Sequence, residues 1–189
     1  MAMLEIVKYG DPILREVAQP IHKITPAMQR MVPDMFETMY ASSGVGLAAP
    51  QVGHSIRLFV LDCSNEQDGP LPKMTFVNPV IVHKEGAMVS WEGCLSFPEV
   101  FIDVKRYESI TVKAKDLKGR PFTLNPKPGS LLCRAIQHEF DHLDGILFID
   151  HVIDRYGTEE ALRLQNLPPI DPSKIIEDKY IDGQLALME

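Results

Sequence analysis

The chain has little of what marks the specialised protein classes. Its 189 residues include three cysteines, Cys63, Cys94 and Cys133, too few and odd in number for a disulfide framework. No stretch approaches the roughly 18 consecutive apolar residues that cross a bilayer. Residues 1–10 show neither the apolar core of a secretion signal nor an Arg/Ser-rich transit pattern. Basic residues are in deficit: 19 Lys plus Arg against 26 Asp plus Glu give a formal charge of −7, so direct binding to nucleic acid or to an anionic membrane is not expected. These absences describe a cytoplasmic protein with no membrane segment. The chain also lacks internal repeats and low-complexity stretches, and with 45% hydrophobic and 24% charged residues it is suited to one ordinary core.

Thr25 and Pro26 stand where a helix N-cap and first helical residue belong, and Met28, Met31, Val32, Met35, Phe36, Met39 and Tyr40 follow at helical spacing. Pro33 inside that pattern is expected to kink the helix or delay its start. The Met stripe reads as core packing. From residue 56 to 124 the pattern turns to short β-branched runs at 56–63, 74–83, 86–91, 100–105, 110–115 and 121–124, with a polar loop at 65–72 and a turn at 116–119. A second helix is expected over 131–143, opened by Gly129-Ser130 and closed by Asp144-Gly145, and a short third helix near 158–164. Strands followed by helices predict an α+β fold, with antiparallel or mixed sheets packed around the second helix. A single domain over 1–164 is expected, followed by a loosely attached tail at 165–189 that holds Pro168, Pro169 and Pro172, two Lys and five acidic residues; the alternative is a tail that covers an apolar patch with Ile170, Ile175, Ile176 and Leu185 or mediates self-association.

The second helix carries His138-Glu139-Phe140-Asp141-His142, an H-E-x-x-H pattern. At 100° per residue the two imidazoles project within about 40° of each other and can reach one metal ion, with Glu139 beside them as a base. Two unrelated helix histidines beside a solvated glutamate give the same five letters. A catalytic metal takes three protein ligands and keeps one position open, so the third ligand decides the class. The metzincin extension places a histidine where Phe148 stands, which excludes that class. Glu159 or Glu160 would complete a thermolysin-like site. Among the cysteines, Cys133 precedes His142 by nine residues and lies about 180° around the same helix, so it cannot join. Cys63 ends an apolar strand and reads as a small buried residue. Cys94, in Glu92-Gly93-Cys94-Leu95-Ser96-Phe97-Pro98, is either a ligand or a buried thiol. A non-catalytic metal site closed by His54, His83 or His151 is the alternative to an enzyme.

Three segments taken together, GVGLAAPQ (44–51), EGCLSFP (92–98) and QHEFDHLDG (137–145), resemble in order and separation the three signature motifs of peptide deformylase. The likeness covers roughly residues 4–164, including Tyr9 to Arg15 and a segment at 143–150 similar to the family's strand after the metal helix. The resemblance implies a metal-dependent hydrolase that removes the formyl group from the N-terminal formylmethionine of nascent polypeptides, with Cys94, His138 and His142 as ligands, a water as the fourth, and Glu139 as acid/base. It further implies Fe²⁺, with Zn²⁺, Ni²⁺ or Co²⁺ as substitutes. Gln51 and the N–H of Leu95 would serve as oxyanion donors, and a substrate strand would lie against Val45, Gly46 and Gly93. The methionine pocket would be built from Val45, Leu95, Leu131, Arg134, Ala135 and His138. Glu92 and Arg106 match a pair that braces the cysteine loop, although an exposed ion pair would explain them as well. Phe97 stands where the family usually has an aliphatic residue. Some family members dock on the ribosome through a basic C-terminal helix, a role that this acidic tail does not favour.

Overall fold

A computed structural model describes residues 2–64 and 70–176. Helix α1 (Pro26–Ala41) begins as expected: the Thr25 hydroxyl accepts the Met28 N–H at 3.3 Å, and Pro26 occupies the first turn, where its missing donor costs nothing. The helix runs unbroken through Pro33. The carbonyl deprived of its donor is that of Gln29, on the same exposed face, where water can satisfy it. Val32, Met35 and Met39 form the buried stripe.

Among the described residues seven strands follow the first helix. They are β1 (Gly46–Ala48), β2 (Leu58–Leu61), β3 (Met74–Glu85), β4 (Met88–Cys94), β5 (Phe97–Arg106), β6 (Ser109–Lys115) and β7 (Pro121–Leu124). Five of them form an antiparallel sheet in the order β1-β2-β3-β6-β7, and β4 and β5 form a separate antiparallel hairpin. β1 is the strand the spacing did not predict: three buried residues paired with β2, then a single 3-10 turn at Ala49–Val52. A strand this short has no room to show alternation. The loop call at 65–72 falls largely on residues outside those described.

Helix α2 (Leu131–Leu143) has the predicted limits, with the Ser130 hydroxyl accepting the Cys133 N–H at 3.2 Å. Leu132, Cys133, Ala135, Ile136 and Leu143 pack on Phe59, Phe76, Ile110 and Val112 of the large sheet. On the far side, Val100, Ile102 and Val104 of β5 meet Leu147, Phe148, Ile149 and Leu162. The last of these belongs to α3 (Arg155–Leu164), a few residues longer than expected. The helix therefore lies between sheet and hairpin, and its polar residues face the gap between them. Among the described residues no helix is long and apolar enough to cross a membrane.

Two expectations about the C-terminal part are corrected. Residues 143–150 are not a strand: Gly145 adopts a left-handed conformation, and Phe148–His151 form a 3-10 turn. The Asp150 carboxylate accepts the Leu147 N–H at 2.8 Å and also holds the Arg15 guanidinium, a local closure that an extended chain could not make. Nor is the described part of the tail loosely attached. Ile170 is buried and Ile175 packs beside it on the hairpin cluster. The Tyr9 hydroxyl donates to the Pro169 carbonyl at 3.0 Å, and the Ile176 N–H donates to the Asp150 carbonyl at 2.8 Å. Leu185, a candidate for the same role, lies outside the described residues.

At Gly145, φ is +68° and an added Cβ would stand 2.5 Å from the Arg15 carbonyl oxygen. Gly145→Ala is expected to cost about 2 kcal/mol or more, from the left-handed backbone and the contact with a main chain that cannot yield. Urea unfolding checks this; a loss under about 0.5 kcal/mol would mean that the turn can reorganise.

Candidate active site

Helix α2 presents His138, Glu139 and His142 toward the hairpin, and Cys94 closes the end of β4 opposite them. The Cys94 Sγ lies 3.4 Å from His142 Nε2, and one ligand atom from each of Cys94, His138 and His142 falls within 4.8 Å of the others. Two ligands of one tetrahedral ion, at the usual sulfur and nitrogen bond lengths, stand about 3.6 Å apart, so this donor set fits a single divalent metal. Among the described residues no other group of three or more His, Cys, Asp or Glu is gathered this way. His83 lies against Glu85, His151 against Asp141, and Glu159 and Glu160 are paired with Arg155 and Arg163. The thermolysin-like third ligand and the histidine that would close a structural site are thus not brought in. Cys133 is buried in the sheet-facing core, as the helical angle required, and Cys63 is buried there too.

The orientation of His138 is set from behind. Its Nδ1 lies 3.1 Å from the Glu92 carboxylate, which can only accept, so Nδ1 carries the proton and Nε2 is left for the cluster. Glu92 is in turn held by Arg106, whose Nε and terminal nitrogen donate to its two oxygens at 3.0 Å, while the other terminal nitrogen donates to Asp141. The Arg106 and Glu92 side chains are 3% and 8% exposed, so the exposed-ion-pair reading is corrected: this is a buried network. Burial alone would raise Glu92, but the Arg106 guanidinium outweighs it and holds the carboxyl well below the usual range. Sequence reasoning missed the part of Asp141 and considered His151 only as a fourth metal ligand, whereas its ring nitrogen approaches Asp141 at 2.9 Å. The only signal was a carboxylate inside the H-E-x-x-H pattern.

Glu139 is buried, and burial pushes its carboxyl up to about 7. Its Oε2 has no hydrogen-bond partner, and its Oε1 passes so close to Gly46 that a Cβ there would stand 2.3 Å away. His142 is buried as well, and burial pushes its imidazole well below the ordinary value, leaving the ring neutral. Gln51 has its amide orientation fixed: its oxygen accepts the Ala48 N–H at 2.9 Å, which turns the NH₂ toward Cys94 Sγ at 3.4 Å and Ser96 Oγ at 3.2 Å. Leu95 sits in the turn between β4 and β5, its carbonyl accepting from Lys8 at 3.0 Å. Backbone bonds from Val7 to Gln51 and from Tyr9 to Ser96, at 2.8 and 2.9 Å, tie both loops to the N-terminal segment.

Part of this cluster opens on one cavity of about 620 Å³. Its walls include Val45, Gly46, Gly93, Leu95, Leu131, Arg134 and Ala135, together with Gln51, Cys94, His138 and Glu139. Every residue expected at the substrate site is present. Trp91, Phe101 and Glu99 also line it, and spacing gave no sign of them.

A buried carboxylate beside a thiol and two imidazoles able to hold a metal, at the floor of a cleft in an α+β fold, define a metal-dependent amide hydrolase. The sequence model of the family described as polypeptide deformylase matches residues 3–157. A peptide deformylase of Acidobacterium capsulatum is 46% identical over 149 residues, 79% of this chain and 86% of that protein. One from Dictyoglomus turgidum is 47% identical over 152 residues, 80% and 94% of the two chains. The crystal structure of the Synechococcus elongatus peptide deformylase in complex with actinonin superposes with a TM-score of 0.81 at 39% identity, covering 88% of this chain and 92% of that one. The chain belongs to the peptide deformylase family, the enzymes that remove the N-formyl group from nascent polypeptides.

Removing the Arg106 charge strands two buried carboxylates. Arg106→Met is expected to cost about 3–5 kcal/mol in chemical denaturation, against the 0–1 kcal/mol of a surface pair. A cost within the surface range would remove the network from the supports of this site.

Proposed function

We propose that Cys94, His138 and His142 hold one divalent ion, Fe²⁺ in the cell, and that Glu139 carries the proton during deformylation. A thiolate with two imidazoles also accepts Zn²⁺, Ni²⁺ or Co²⁺. Bound there, a divalent ion polarises the formyl carbonyl and makes water acidic enough to attack near neutral pH. Glu139, whose Oε2 is unpartnered inside the cleft, takes the proton that the attacking water loses. Attack forms a bond from the water oxygen to the formyl carbon; the carbon–nitrogen bond then breaks, Glu139 returns the proton to the departing amine, and formate leaves.

Gln51 and the Leu95 N–H stabilise the charge that develops on the formyl oxygen. The Gln51 amide suits this role because its oxygen is already engaged by Ala48, so only its donors face the cleft. The peptide lies extended against Val45, Gly46 and Gly93, bonded through its main chain and read little by side chain. Leu131, Arg134 and Ala135, with Val45, Leu95 and His138, receive the methionine side chain. The cytoplasm, where formylated chains emerge, is the fitting location.

The observation that carries this reading is that the three ligand-type residues lie together and that two of them, Cys94 and His138, line one cavity with the unpartnered Glu139 and Gln51. Protein purified anaerobically with Fe²⁺ should release formate from formyl-Met-Ala-Ser. Glu139→Ala should retain metal and lose about 10²–10⁴-fold in kcat, whereas Cys94→Ala should lose metal. No formate from the metal-loaded parent would defeat the assignment. Gly46→Ala should displace the Glu139 carboxylate, lowering kcat about 10- to 100-fold at unchanged metal content; a near-parental rate would show that the carboxylate can shift without harm.

A further inference from the structure

The charge network behind the cluster has one member that the deformylation chemistry does not use. His151 ends the 3-10 turn at Phe148–His151, and its Nε2 lies 2.9 Å from Asp141 Oδ2. The same oxygen accepts from Arg106, so Asp141 is the acceptor and His151 Nε2 carries the proton. Both side chains are largely enclosed, at 18% and 15% exposed. The chain is fixed on either side of His151: Asp150 holds the Arg15 guanidinium, and Val152 makes an antiparallel bridge to Val104, two residues before Arg106 on β5.

One guanidinium serves two carboxylates. Nε and one terminal nitrogen of Arg106 donate to Glu92, and the other terminal nitrogen donates to Asp141. A buried carboxylate short of donors draws on the nearest cation, because leaving its oxygens unpaired is costly. Without His151, Asp141 would compete with Glu92 for Arg106. With a second donor on Asp141, the guanidinium stays in its two-bonded grip on Glu92, and Glu92 keeps its contact with His138 Nδ1 at 3.1 Å. Asp141 stands between His138 and His142 on α2, and Glu92 stands two residues before Cys94 on β4. A change in how Arg106 is shared therefore reaches the supports of the whole ligand-type set.

We propose that His151 is a positioning residue for the metal site: by donating its Nε2–H to Asp141 it keeps Arg106 committed to Glu92, and so holds His138 in its ligating orientation. The proposal rests on the reading that Cys94, His138 and His142 hold one divalent ion. It gives the turn after α2 a part in metal retention, although no residue of that turn belongs to the ligand set.

The test compares His151→Met with His151→Gln in the full chain. The two side chains are similar in volume, and only glutamine has an N–H donor, so their difference reports donation even where both variants lose stability to repacking. Zn²⁺ affinity is measured by competition with a chromophoric chelator. Losing an outer hydrogen-bond partner of a metal site costs about 10–100-fold in affinity, and His151 acts through Asp141 and Arg106, so His151→Met should bind Zn²⁺ about tenfold more weakly than the parent. His151→Gln should stay within about threefold of the parent. The absorption spectrum of the Co²⁺-loaded protein gives a second readout: His151→Met should shift its bands, and His151→Gln should restore them. Equal Zn²⁺ affinity in the two variants, or a Co²⁺ spectrum that His151→Met leaves unchanged, would overturn the positioning role while the metal site stands. Failure of the parent itself to bind Zn²⁺ would overturn the metal reading, and the role of His151 with it.

Discussion

The site depends on one buried guanidinium. Arg106 ends β5, Glu92 lies on β4 and Asp141 on α2, and a single side chain bonded to both carboxylates locks the hairpin to the helix. Desolvating three charges is expensive, and an apolar substitute of equal volume would often be as stable. What an apolar cluster could not supply is direction. Glu92 must be an ionised acceptor to draw the proton to His138 Nδ1, and it stays ionised in a buried place because Arg106 is beside it. The charge network therefore sets which nitrogen of His138 faces Cys94, and the geometry of the cluster follows from that.

The same helix has to be core on one side and chemically unsatisfied on the other. Leu132, Ala135, Ile136 and Leu143 supply the apolar face. The opposite face buries Glu139 and His142, which leave Glu139 Oε2 and His142 Nδ1 without partners. Each such atom costs stability of the order of 1–3 kcal/mol, and the sheet-facing core offsets it. A divalent ion taken up by Cys94, His138 and His142 would add its binding energy to the folded state alone, so metal and fold support each other. Gly46 shows how tightly the face is fitted, since no side chain can stand between β1 and the Glu139 carboxylate.

Legibility in the sequence followed the range of the interactions. Helix α2 was readable to the residue because its signals are local: a serine cap, two histidines one turn apart, and a glycine after the last turn. The strand runs were readable because β-branched alternation is local too. The place of Cys94 beside the two histidines was not settled by spacing, because it reaches the helix through a strand pairing that no periodicity reports; the three motifs read together pointed to it. β1 was too short to show a pattern. The tie from Asp141 to Arg106 joins residues 35 apart in sequence, and the exposed Trp91 and Phe101 carry no motif at all.

The segment at 143–150 and the tail failed for a different reason, and it bears on the site. The first was read from a family resemblance and the second from local composition, yet their conformations are set by each other and by the N-terminal segment. Arg15 bonds Asp150, the Asp150 carbonyl receives Ile176, and Pro169 receives Tyr9. Tyr9 also stacks on Phe97 at 4.5 Å and donates its N–H to Ser96, two residues from Cys94. The aromatic residue at position 97 is matched by the tyrosine that covers it, so the departure from an aliphatic side chain is compensated by packing rather than left as a defect. Proline-broken, acidic composition signals that a segment makes no long regular element, and the described part of the tail past α3 holds only the 3-10 turn at Pro172–Lys174. It does not signal that the segment is unattached, because a few isoleucines and main-chain bonds suffice to seat it, and here they seat it against β5, the strand that leaves the cysteine turn.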